Sequence, residues 1–95
     1  MKILIIDDEK DIVAFLEKGL KGKAYIVDAA YDGERGSFLA RTGHYDLIIL
    51  DNNLPKMNGL EVLKEIRREH INTPVLALTV NAELEKKGAM FASGV

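Results

Sequence analysis

Four short apolar runs alternating with amphipathic stretches define an α/β domain with a parallel sheet and helices on both faces. The runs are ILII (3–6), YIV (25–27), LIIL (47–50) and VLAL (75–78), rich in β-branched residues and closed by polar or turn-forming ones; they read as strands. Helical spacing fills the gaps: Ile12, Val13, Leu16 and Leu20, then Phe38 and Leu39, then Leu60, Leu63 and Ile66. A β-α-β-α-β-α-β-α order needs right-handed crossovers, and hence parallel strands.

Each element has its own justification. Strands 1, 3 and 4 are apolar at consecutive positions, as strands covered on both faces must be. Strand 2 breaks its run with Asp28 and belongs at an edge. Asp32 is placed to cap the second helix, and Asn58 with Glu61 three residues later resembles a capping box for the third. Pro74 precedes strand 4. The residues after VLAL supply a fourth helix, with FASGV as its end. Gly19, Gly36 and Gly88 fall inside helices, where each costs about 1 kcal/mol relative to alanine.

Length and composition bound the function. Ninety-five residues make one domain, residues 1–95. Thirteen basic against fifteen acidic residues give a net charge of −2, without the cationic surplus of a nucleic-acid binder. No apolar run approaches a membrane span or a signal peptide, so the expected location is the cytoplasm with no membrane partner. The absence of cysteine excludes disulfides and thiolate metal sites. Chemistry falls to carboxylates, hydroxyls, amides and amines.

Parallel strands bring their C-terminal ends to one edge, where open α/β folds bind ligands. Strand 1 ends in Asp7, Asp8 and Glu9, strand 3 in Asp51, Asn52 and Asn53, and strand 4 in Thr79, Val80 and Asn81. Asp7 and Asp8 both reach the crevice only if a loop starts there, because strand side chains alternate faces. Carboxylates about 5 Å apart repel by roughly 3 kcal/mol per pair at an effective dielectric of 20. A hard divalent cation relieves that repulsion, and Mg²⁺ suits a few carboxylate and carbonyl oxygens.

The motifs ILIIDDE, DLIILDNNLPKMNG and PVLALT, in register over nearly the whole chain, resemble the receiver domain of two-component response regulators. The resemblance implies a flavodoxin-like fold with strand order 2-1-3-4. It also implies a phosphoryl group accepted from a sensor histidine kinase on Asp51. Mg²⁺ is then held by Asp7, Asp8, Asp51 and the backbone carbonyl of Asn53, while Thr79 senses the phosphoryl group. Pro55 and Gly59 match the loop after the acceptor. Such a domain is a switch rather than a turnover enzyme. A haloacid dehalogenase-type phosphatase would need a second Asp where Asn53 stands.

The family continues into a fifth βα unit that carries a lysine, and the sequence stops before it at Val95, so the expectation is a C-terminally incomplete receiver without its lysine or an output domain. Lys56 is not assigned that role. Val80 and Asn52 depart from the family's usual residues. Strand 4 is expected to be an exposed edge and one sheet face to lack cover, which predicts self-association through either. The alternative function is a switching-impaired scaffold or interaction module. His44, His70 and the Arg67–Arg68 pair read as helix-end residues, the arginines exposed.

Overall fold

The computed structural model describes residues 1–78 and 90–93. Its elements run β1 (Lys2–Ile6), α1 (Lys10–Lys21), β2 (Ile26–Ala30), α2 (Gly33–Thr42), β3 (Leu47–Asp51), α3 (Gly59–Arg68), β4 (Val75–Leu78) and β5 (Met90–Ser93). The sheet order is β2-β1-β3-β4-β5, with the first four strands parallel. This is the expected 2-1-3-4 arrangement, with β2 at an edge. β2 nevertheless runs through Asp28 to Ala30.

Side-chain alternation divides the core between the two faces. Leu4, Ile6, Ile48, Leu50 and Val75 point to one side, where they meet Ala40 from α2 and Val62 and Ile66 from α3. Ile3, Ile5 and Ile49 point to the other and meet Val13, Leu16 and Leu20 from α1. Both caps form as their residue types require. The Asp32 side chain accepts from the Arg35 amide at 2.7 Å, and the Asn58 side chain accepts from the Glu61 amide at 2.9 Å. Gly36 earns its helical position by closeness: a Cβ there would lie 2.6 Å from the Ile6 side chain.

The C-terminal region differs from expectation. Met90–Ser93 is not the end of a helix but a strand, antiparallel to β4, pairing Val75 with Ser93 and Leu78 with Met90. The edge of β4 expected to be open, and to drive self-association, is therefore paired within the chain. The physical reason is the row of amides and carbonyls that an edge strand presents, which a short apolar segment can satisfy. Gly88 lies outside the described residues. On the α1 side, Phe15 is 77% exposed.

Two polar contacts tie elements together. Ser37, 1% exposed, donates to Glu65 Oε1 at 2.5 Å, and Arg41 Nε lies 3.2 Å from Ser37 Oγ and 3.3 Å from Glu65, joining α2 to α3. The buried Tyr45 hydroxyl donates to Asp28 Oδ2 at 2.6 Å, anchoring the edge strand, while Lys2 Nζ sits 4.8 Å from the ring centroid. Burial, then the Asp28 carboxylate, push the Tyr45 phenol above its ordinary range. Arg67 is not simply an exposed helix end: its guanidinium donates to the carbonyls of Ile71 and Thr73, bracing the turn before β4. His44 and His70 take left-handed backbone just past their helices, with φ of 50° and 60°.

Tyr45→Phe leaves Asp28 without its phenolic donor while conserving the ring's packing. Urea unfolding is expected to show a loss of about 1 kcal/mol, with an unchanged m-value.

Candidate functional site

β1 and β3 are neighbours in the sheet, and the strand order reverses at this junction, so their C-terminal ends open onto the crevice. β1 stops at Ile6, and the backbone leaves extended geometry over the next residues. Asp7 is 3% exposed, its amide donating to the Ala30 carbonyl at 3.0 Å, while Asp8 is exposed. The Asp7 carboxylate accepts from the Glu9 amide at 2.9 Å, which fixes its direction at the start of α1. Asp51, the last residue of β3, is 9% exposed.

One carboxylate oxygen from each of Asp7, Asp8 and Asp51 lies within 4.8 Å of the others. Ionising all three costs free energy in the absence of a cation. The Asp51 carboxyl is pushed up to about 6, by burial first and then by the Asp7 charge, with Asp8 adding to it. The backbone at Asn53, then at Asn52, partly offsets the rise. Burial also raises Asp7, with the Glu9 amide opposing and Asp8 reinforcing.

The loop between β3 and α3 is fastened at both ends. The Asn52 amide donates to the Leu78 carbonyl at 3.2 Å, and the Gly59 amide to the Asn52 carbonyl at 3.0 Å. Gly59 allows this return because a Cβ there would lie 2.6 Å from the Asp51 carbonyl oxygen. Lys56, at φ 69°, points its ammonium to Asp32 at 3.8 Å. The structure thus gathers Asp7, Asp8 and Asp51 as the sequence predicts. Thr79, Val80 and Asn81 lie outside the described residues. The backbone contribution at Asp51 was not foreseen, since backbone donors leave no side-chain signal.

Three acids at the switch point of a doubly wound sheet define an α/β domain built around an acidic, oxygen-only site. Residues 3–95 match the response regulator receiver domain, and the chain belongs to that family. It is 41% identical over 87 residues to the transcriptional regulatory protein DltR of Streptococcus agalactiae, covering 92% of this chain and 39% of that protein. To CusR of Escherichia coli it is 42% identical over 87 residues, covering 92% and 38%. The chain thus spans about two-fifths of the length of these curated relatives.

Among solved structures it is similar to a Francisella response regulator receiver domain, at TM-score 0.80 and 34% identity, covering 92% of this chain and 74% of that one. It is equally similar to the response regulator TrrA of Thermotoga maritima in complex with Mg²⁺-BeF, at TM-score 0.80 and 34% identity, covering 93% and 76%. Receiver domains are signalling domains, and this one is a receiver of two-component response regulators. Among the described residues no helix is long and apolar enough to cross a membrane.

The raised Asp51 carboxyl has a measurable consequence for stability. Between its ordinary value of 3.8 and about 6, the folded state holds a proton that the unfolded chain has released. Stability is then full below the ordinary value and is lost as pH rises through about 6. In EDTA the melting temperature is expected to fall across this window. Asp51→Asn should flatten that fall and raise the melting temperature at pH 7, as calorimetry in parallel buffers will show.

Proposed function

We propose that Asp51 accepts a phosphoryl group from the phosphohistidine of a sensor histidine kinase. Mg²⁺ is held by Asp7, Asp8, Asp51 and the backbone carbonyl of Asn53. The observation that carries the reading is the convergence of three carboxylates within 4.8 Å at one strand edge. The donor set fits the ion: all oxygen, hard and anionic, with an Asp51 carboxyl raised by burial and then by the Asp7 and Asp8 charges. When bound, Mg²⁺ supplies neutralisation of the acids and of the charge on the transferred oxygens.

The protein's own groups supply the rest. Asp51 is the nucleophile: one carboxylate oxygen forms a bond to phosphorus as the phosphorus–nitrogen bond of the donor breaks, leaving an acyl phosphate on Asp51 and, because the donor's ring carries a proton on its other nitrogen, a neutral imidazole. With its carboxyl at about 6, Asp51 is mostly ionised at neutral pH, as a nucleophile must be. The backbone at Asn53 and Asn52 favours the ionised carboxylate from the loop side. Thr79, directly after β4, is assigned the hydrogen bond to the phosphoryl group that marks the phosphorylated state. The domain works as a switch, with the acyl phosphate as its signal. Similarity to TrrA, seen with Mg²⁺-BeF, supports the choice of ion.

Incubation with phosphoramidate and Mg²⁺ is expected to add one phosphoryl group by intact mass. EDTA should prevent the adduct and Asp51→Asn should abolish it; an adduct that survives Asp51→Asn refutes the assignment. Millimolar Mg²⁺ is also expected to raise the melting temperature of the wild type, because it binds the folded state preferentially. Asp7→Ala or Asp8→Ala should remove most of that rise.

A further inference from the structure

The loop that follows Asp51 is held on its far side by a helix that contributes no ligand. Gly33, the first residue of α2, donates its amide to the Pro55 carbonyl at 3.3 Å. A Cβ at Gly33 would lie 1.8 Å from the Met57 carbonyl oxygen and 2.7 Å from both its carbonyl carbon and its Cβ. These are mostly backbone atoms, which cannot rotate aside as the end of a side chain can. Next to this contact, Lys56 reaches Asp32, whose other carboxylate oxygen caps α2. Leu54 and Met57 also pack against the core on the α2 side. The loop between Asp51 and Gly59 is therefore pressed onto the start of α2 wherever Gly33 lets it approach.

We propose that Gly33 is a positioning residue for the Mg²⁺ site: its missing side chain sets the seat of the β3–α3 loop. That seat fixes the Asn53 carbonyl and the backbone of Asn52 and Asn53 at Asp51. The inference rests on the functional reading above and adds to it a residue on an element bearing none of the acids. Helix propensity alone favours alanine at this position, so weaker ion binding in the alanine variant reports the loop contact and not the helix. Groups that orient metal ligands without touching the ion change affinity by about 10- to 100-fold when lost.

Isothermal titration with MgCl₂ compares wild type, Gly33→Ala and Gly36→Ala, each first shown to unfold cooperatively. Gly36→Ala is the matched control: same helix, same substitution, but its Cβ meets the Ile6 side chain rather than the loop. Gly33→Ala is expected to bind Mg²⁺ about tenfold more weakly or worse, with Gly36→Ala within about twofold of wild type despite a lower melting temperature. Wild-type affinity in Gly33→Ala, or equal weakening in Gly36→Ala, overturns the role. A wild type that takes up no Mg²⁺ overturns the functional reading itself. If Gly33→Ala does not fold, amide exchange on the wild type decides. Added MgCl₂ should slow exchange of the Gly33 amide, and an unaltered Gly33 amide beside altered Asp7 and Asp8 amides overturns the proposal.

Discussion

Three carboxylates are held closer together than their charges favour, and the rest of the structure can be read from that constraint. At 4.8 Å, two ionised acids repel by about 3 kcal/mol at an effective dielectric of 20. A flexible chain would let them part. Here Asp7 and Asp51 cannot, because Asp51 closes β3 and Asp7 follows directly on β1, and these buried strands are paired with each other from Ile3 to Ile6. Hydrophobic burial on both faces of the sheet therefore provides the free energy that keeps the acids together. The acids in turn form the oxygen cluster on which the proposed Mg²⁺ site rests.

Much of this was readable from residues. The consecutive apolar positions at 3–6 and 47–50 could only be strands covered on both faces, and parallel strands necessarily align the acids at their ends. Asp28 marked β2 as an edge, and Asp32 and Asn58 marked helix starts, because short polar side chains at those offsets satisfy orphan amides. What the residues did not reveal was tertiary. Met90–Ser93 has no local preference strong enough to distinguish a helix end from a strand, and pairing with β4 decides it. Arg67 looked like a surface residue until the turn at Ile71 and Thr73 folded back over it.

Glycine shows the same division between local and tertiary information. Gly36 looks like a defect in a helix when judged by propensity, and Gly33 opens the same helix. In the fold each marks a close approach, one to the Ile6 side chain and the other to the Met57 backbone. A sequence reading registers the cost of such residues, and only the packed neighbours show what it permits. The loop's seat is accordingly less visible than the acids: the close approach of Gly33 to the Met57 backbone carries no chemical signature of its own.

Cover is unequal on the two sides of the sheet. Among the described residues, α2 and α3 share one face and are clasped to each other by Ser37, Glu65 and Arg41, whereas α1 stands alone on the other with Phe15 in solvent. Local opening follows the weakest packing, so of the three described helices α1 is the one expected to open first. Asp7 and Asp8 sit at the joint between that helix and the most buried strand. An ion gripping both, as proposed, would tie α1 to the buried β1, so that occupancy of the crevice would be felt as rigidity along that helix.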